Sequence, residues 1–365
     1  MSQSIARHRS VRVRAVAQRG PAAVPHRAAV RALPGRGPRP DAARGLRRRS
    51  VLVALVAYIL VGAFIGLATW KLTETAVEST QAVAAIAPTE PDVAAVEAVQ
   101  SAPLVTHLDP ALLDLLERQG PPNGFVGLFV RNLTTGAEAS INPTRVFPAA
   151  SLYKLPILVE TIRQIKLGRI SADQQIVVQR SQWVGGSGVL QGRVGDSLPV
   201  KELLRVMIAE SDNIAAMMLM DLTGLNNVNQ TMRALGLEST RLLDYRGQGA
   251  YNGVGPYSTS PIDMGLLMDT IGSGRLVDEQ TSEEALKLLG VKQTSDLLSE
   301  SLPFSVKVAH KWGEIPGARH EAGVVFTPRF KYVVVIMTEN VDPNSSPAYI
   351  RDLSKAIYNY FDQAQ

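Results

Sequence analysis

The 365-residue chain has no cysteine, so disulfides, a thiol nucleophile and cysteine-based metal sites are all excluded. Histidine is nearly as scarce. The five present (His8, His26, His107, His310 and His320) fall at no metal-ligand spacing, which leaves no basis for a metal cofactor or any other. Acidic residues are almost missing from residues 1–49, where Asp41 stands alone against thirteen arginines. No aromatic residue interleaves those arginines, which argues against nucleic acid as a partner. Large apolar side chains are equally rare there, so this segment is expected to be a disordered cytoplasmic tail.

The stretch after the tail has no charge at all. Val51 to Trp70 is an uncharged apolar run of bilayer-spanning length, preceded by Arg47-Arg48-Arg49. Basic residues stay on the cytoplasmic side, so residues 50–71 are expected to form a single-pass transmembrane signal-anchor, with the rest of the chain extracytoplasmic, in the periplasm or at the cell surface. A cleaved signal peptide is the alternative; the length of the run and the lack of a small-x-small site at its end argue against it. Residues 72–105 are small, polar and acidic without apolar periodicity, which marks a linker.

Residues 106–365 read as one domain. Two strands joined at Thr135-Gly136 are expected in "GFVGLFVRNLTTGAEASIN", and three more in "FSVKVAHKWG", "ARHEAGVVFT" and "FKYVVVIMTEN". Between them the chain is helical. The spacing predicts a helix from Ser151 to a stop at Gly168, one with Pro199 in its first turn, and one ending at Gly224. A further helix is capped by Ser260 with Pro261 at its first position, and another opens with Thr281 and Glu284 in capping-box spacing. Met217, Met218 and Met220 read as core. Strands at both ends with helices between imply an α/β domain with an inserted all-helical subdomain.

Three short motifs carry chemistry. In "PAASLYKLPI" a helix places Lys154 one turn from Ser151, close enough for its amine to reach the hydroxyl, in apolar surroundings that favour a neutral amine. The spacing by itself does not separate a nucleophile and base from a coincidental polar pair. The tripeptide Ser211-Asp212-Asn213 adds a hydroxyl able to relay a proton and an amide able to hold a substrate. Lys311, ending an apolar strand in "HKWGE", offers a cation for a carboxylate.

With S-x-x-K, S-D-N and a lysine-led third motif in that order, the chain resembles the penicillin-recognising serine hydrolases, class A serine β-lactamases and class-A-like penicillin-binding proteins, over about residues 106–365. The resemblance implies a class A β-lactamase-like fold, an antiparallel sheet flanked by helices. It implies Ser151 as acylated nucleophile, Lys154 as base or relay, Ser211 as proton donor to the leaving nitrogen, and Asn213 as a contact to Lys154 and substrate. Lys311 would bind the carboxylate of a β-lactam or a peptidoglycan stem peptide, in a third motif that includes Gly313. The backbone N–H groups of Ser151 and Glu314 would form an oxyanion hole, and Arg319 or His320 would assist the carboxylate or serve structure.

Two departures stand out. Trp312 replaces the hydroxyl residue of the usual K-T-G, and either narrows the site or points away from it. The loop "LLDYRGQGAYNGVGPYS" has no glutamate where class A β-lactamases carry their deacylating base; at similar spacing it offers Gln248 and Asn252, and its only acid is Asp244. Glutamine orients water but takes no proton from it. Slow deacylation is therefore expected. The alternatives are an efficient β-lactamase using another base, and a peptidoglycan-binding module without catalysis.

Overall fold

The computed structural model describes residues 107–120, 123–244 and 257–363. The tail, the apolar run, the linker to residue 105, Gln248 and Asn252 lie outside these. Among the described residues no helix is long and apolar enough to cross a membrane.

The elements run β1 (His107–Leu108), α1 (Pro110–Arg118), β2 (Phe125–Asn132), β3 (Ala137–Ile141) and β4 (Phe147–Pro148), then a 3-10 turn (Ala150–Tyr153) leading into α2 (Lys154–Lys166). Next come β5 (Gln175–Val177), β6 (Ser197–Pro199), α3 (Val200–Ala209), α4 (Asn213–Thr223) and α5 (Leu225–Ala234). The chain then forms β7 (Arg241–Leu242), β8 (Tyr257–Thr259), α6 (Pro261–Gly272) and α7 (Glu279–Leu289). It closes with β9 (Lys307–Ile315), β10 (Ala318–Phe326), β11 (Lys331–Glu339) and α8 (Ser346–Gln363).

Six strands form the main sheet in the order β1-β3-β2-β11-β10-β9. Apart from the short parallel pairing of β1 with β3, all neighbours are antiparallel. The sheet is covered on both faces, which is why β11 reads as an unbroken apolar run. Val333, Val335 and Met337 enter the core shared with the inserted helices, whereas Tyr332, Val334 and Ile336 pack with α1 and α8. The segment between β3 and β9 is therefore inserted into a sheet made by the two ends of the domain, but it is not all-helical as expected: short strands pair within it as β4-β8-β7 and β5-β6. Strand β9 lies at the open edge, beside the turn that carries Ser151.

Local rules place most boundaries. Ser260 caps α6 by accepting the Asp263 N–H, with Pro261 at the first helical position. Gly224, at φ +83°, ends α4 where an L side chain would be strained. Three expected helix starts need correction. Pro199 lies just before α3 rather than in its first turn. Helix α7 starts at Glu279, two residues before Thr281, because the carboxylate of Asp278 takes the cap by accepting the Thr281 N–H at 2.8 Å. The predicted helix from Ser151 is a 3-10 turn up to Tyr153, and α2 begins at Lys154. Pro156, lacking an N–H, suits that first α-helical turn.

The base of α2 is held by a buried polar cluster. Glu160, fully buried, accepts from Arg163 Nε at 2.8 Å, Gln164 Nε2 at 2.6 Å and Thr231 Oγ1 of α5 at 2.6 Å. Removing one member of a buried pair strands the other. Glu160→Ala is expected to destabilise the domain by about 3–5 kcal/mol, read as a lower denaturant midpoint. A midpoint within error of the parent would show that Arg163 finds other solvation.

Candidate active site

Ser151 sits in the 3-10 turn, where residues three apart eclipse one another, so Lys154 lies directly over it. The Lys154 amine is 3.0 Å from Ser151 Oγ, 3.0 Å from Ser211 Oγ, 2.8 Å from the Ser211 carbonyl and 2.7 Å from Asn213 Oδ1. None of these partners is a carboxylate. Lys154 is fully buried, and burial, reinforced by the nearby charge of Lys311, pushes its pKa well below that of an ordinary lysine; Asp212 opposes this more weakly. The amine is thus suited to accept a proton from the hydroxyl beside it.

The turn is shaped from outside. Ala150 has φ +44° and Ser211 φ +51°, the left-handed region that residues other than glycine seldom enter. Strand β9 crosses so closely that a Cβ on Gly313 would stand 2.9 Å from the Ser151 nitrogen and 3.1 Å from the Ala150 Cβ. On the other side His320, fully buried, bonds the Pro148 carbonyl through Nε2 at 2.8 Å and accepts the Thr338 N–H on Nδ1 at 3.2 Å. Burial lowers its pKa to about 4, so it is neutral. With both nitrogens committed, His320 tethers β4 to the sheet, the structural one of the two roles that the sequence left open.

The second motif owes its position to an aspartate that the sequence marks only as the middle of a tripeptide. Asp212 caps α4 by accepting the Ala215 N–H at 2.9 Å, and its other oxygen accepts Val189 N–H at 2.6 Å and Leu190 N–H at 2.9 Å. The loop so held is Gly185-Gly186-Ser187-Gly188. Asn213 donates to Gly185 O at 2.9 Å, and its own N–H reaches Ser187 O at 3.0 Å. A Cβ on Gly186 would meet Asn213 Nδ2 at 2.6 Å, and one on Gly188 would meet Asp212 Oδ2 at 2.2 Å. The glycine-rich run itself is the sequence signal for this contact, since side chains at Gly186 and Gly188 would keep the loop off the motif.

The third motif lies on the edge strand, with Lys311 in the middle of β9 rather than at its end as the sequence suggested, because the strand pairs with β10 as far as Ile315. Lys311 is fully buried, donates to the Trp312 carbonyl at 2.8 Å, and lies 4.8 Å from the centre of the Trp312 ring. Burial, partly offset by Glu321, lowers its pKa to about 7. Trp312 is half-buried, its Nε1 has no partner among the described residues, and its cross-strand neighbour is Glu321. Glu314 and Arg319 are also cross-strand partners, joined by an ion pair of 2.5 Å. Beneath them lies a group that the sequence did not single out: His310 Nδ1 is 2.8 Å from Glu321 and Nε2 is 3.1 Å from Asp296. Burial works against protonation there, but the two carboxylates outweigh it and raise His310 to about 9.

The structure therefore brings Ser151, Lys154, Ser211, Asn213, Lys311 and Gly313 around one centre, with Glu314 and Arg319 at the adjoining strand ends. Gly313→Ala is expected to cost about 1–3 kcal/mol through overpacking and to displace residues 150–152. A crystal structure of the variant with that turn unmoved would contradict the close-approach argument.

Comparison with known proteins places this geometry. Residues 108–361 match a family described as "Beta-lactamase enzyme family". The beta-lactamase regulatory protein BlaB of Streptomyces cacaoi is 35% identical over 127 residues, 34% of this chain and 40% of that protein, so less than half the length of that relative is matched. The extended-spectrum beta-lactamase PER-1 of Pseudomonas aeruginosa is 24% identical over 238 residues, 60% of this chain and 77% of that one. Among solved structures, a point mutant of PBP-A in an acyl-enzyme complex with penicillin G superposes with a TM-score of 0.61 at 29% identity, covering 70% of this chain and 96% of that one.

Proposed function

The chain belongs to the beta-lactamase enzyme family, with its serine hydrolase chemistry and class A β-lactamase-like fold, and on that premise we propose that it is a membrane-anchored serine acyl-enzyme that reacts with β-lactams or D-alanyl peptides at Ser151 and deacylates slowly. The observation that carries the reading is the buried Lys154 amine, 3.0 Å from Ser151 Oγ and without a carboxylate partner among its contacts.

In the first step Lys154 takes the Ser151 proton while Oγ bonds to the carbonyl carbon, and the oxyanion is held by the N–H groups of Ser151 and Glu314. As the carbon–nitrogen bond breaks, Ser211 passes the proton from Lys154 to the leaving nitrogen. Asn213 fixes Lys154 and contacts the substrate amide. Lys311 receives the substrate carboxylate, displacing its own bond to the Trp312 carbonyl; Arg319, on the neighbouring strand, is already engaged by its cross-strand partner Glu314. The second step needs a base for water. The loop that would supply it has no glutamate between Glu238 and Glu279, and Gln248, with Asn252, orients a water without deprotonating it. Residues 50–71 anchor the enzyme, with the arginine-rich tail cytoplasmic and the catalytic domain outside.

Intact-mass spectrometry of the full chain with benzylpenicillin is expected to give a stoichiometric adduct that decays over many minutes or longer. Ser151→Ala should abolish the adduct, and Gln248→Glu should shorten its lifetime. An adduct that survives Ser151→Ala removes the nucleophile assignment; rapid product without lasting adduct makes the enzyme an efficient β-lactamase with another base.

The pH dependence is set by the two lysines. Lys154 acts as base only when neutral, so acylation rises with pH through its lowered pKa. Lys311 attracts a carboxylate only when charged, and that charge is lost as pH rises through about 7. The second-order acylation rate constant, which reports the free enzyme, is expected to fall above about pH 7. Lys311→Arg, whose cation does not titrate there, should remove the alkaline fall; an unchanged alkaline limb would assign it to another group.

A further inference from the structure

The loop that lies on the second motif also presents a groove to solvent. Arg180, Trp183, Gln191 and Val194 line a space of about 330 Å³. Trp183 is 52% exposed, an unusual cost for the largest apolar side chain, yet its ring is fixed: Nε1–H donates to the Gln191 carbonyl at 3.2 Å. Gln191 in turn donates from Nε2 to Val184 O at 3.0 Å and more weakly to Gly186 O at 3.4 Å, which closes the loop on itself.

Both ends of this stretch are fastened to α4. Gln182 Nε2 donates to Asp221 at 3.0 Å, and Gly185 O accepts from Asn213, whose Oδ1 holds Lys154. The groove's cation is also distinctive. Arg193, next to Val194, is taken by Asp196 at 2.8 Å, while Arg180 is exposed and makes no ion pair among the described residues.

We propose that this groove is a subsite for a ring that carries a carboxylate, the ring lying on the Trp183 indole and the carboxylate on the Arg180 guanidinium. An immobilised indole offers a flat apolar face at little entropic cost, and a guanidinium pairs a carboxylate through two parallel hydrogen bonds. The subsite rests on the acyl-enzyme reading in one respect: the ring belongs to a part of the substrate remote from the reacting carbonyl. Binding there stiffens the Gly185–Gly188 loop against Asn213, so the energy of a distant contact is used where Lys154 is positioned. Two sources share the chemistry, a sugar acid of a cell-wall glycan and the aryl carboxylate side chain of a β-lactam.

Isothermal titration calorimetry on the full-length Ser151→Ala chain tests the subsite without acylation. The probes are N-acetylmuramic acid, phenylmalonate, and N-acetylglucosamine as the same type of ring without a carboxylate. Saturable binding of either acid is expected, weakened about tenfold or more by adding Arg180→Ala, as for loss of a charge-assisted hydrogen bond. N-Acetylglucosamine should bind at least as weakly as that variant binds the acids. Preference for the sugar acid identifies a glycan as the source, and preference for phenylmalonate identifies a β-lactam side chain. No saturable heat with either acid, or affinity indifferent to Arg180→Ala, overturns the proposal. The parent reading is scored separately by the benzylpenicillin adduct of the wild-type chain, so either can fail alone.

Discussion

Two lysine side chains buried within each other's electrostatic reach are the constraint around which this domain is organised. A buried ammonium is costly to desolvate, and two neighbouring ones repel. The fold accommodates them by giving each amine polar but uncharged acceptors: the hydroxyls, carbonyl and amide oxygen around Lys154, and a strand carbonyl and an indole face beside Lys311. The nearest acids are spent elsewhere. Both Asp212 oxygens accept backbone N–H groups, and Glu321 is drawn to His310. With no carboxylate bonded to either amine, one is left free to be neutral and the other to meet an anion from outside.

Much of this is written locally in the sequence. The S-x-x-K and S-D-N spacings, the apolar alternation of β9 to β11 and the Ser260-Pro261 start of α6 are legible because each depends on residues within one or two turns. The 3-10 geometry at Ser151 is not. It depends on Gly313, remote in the chain, approaching the turn more closely than any side chain would allow. The same holds for His320, whose place in the chain leaves binding and structural roles open, and which is a tether once Pro148 and Thr338 are packed against it. Asp278 displaced the Thr281 capping box for a simpler reason: a competing carboxylate lay three residues upstream.

The network beneath β9 shows how charge can serve position. His310 sits between Asp296 and Glu321, protonated at neutral pH, and so fixes the loop before β9 to the strand behind it. Lys311 and Trp312 come immediately after His310, so the edge strand that presents the third motif is tied by an ion cluster to the loop before it and to β10. Edge strands are otherwise the loosest part of a sheet.

One contact at the far side of the domain bears on how it can be handled. The Tyr360 hydroxyl of α8 is 2.7 Å from both carboxylate oxygens of Asp109, the residue that caps α1. The chain thus enters and leaves the sheet at the same place, behind the face opposite the catalytic turn. That junction is backed by the apolar core that Leu112 and Leu116 of α1 share with Ile350, Leu353 and Ile357 of α8. Joining the two ends of the domain through a short linker and reopening the chain at a surface turn would leave the two buried lysines in the same surroundings, which makes the domain a natural candidate for circular permutation.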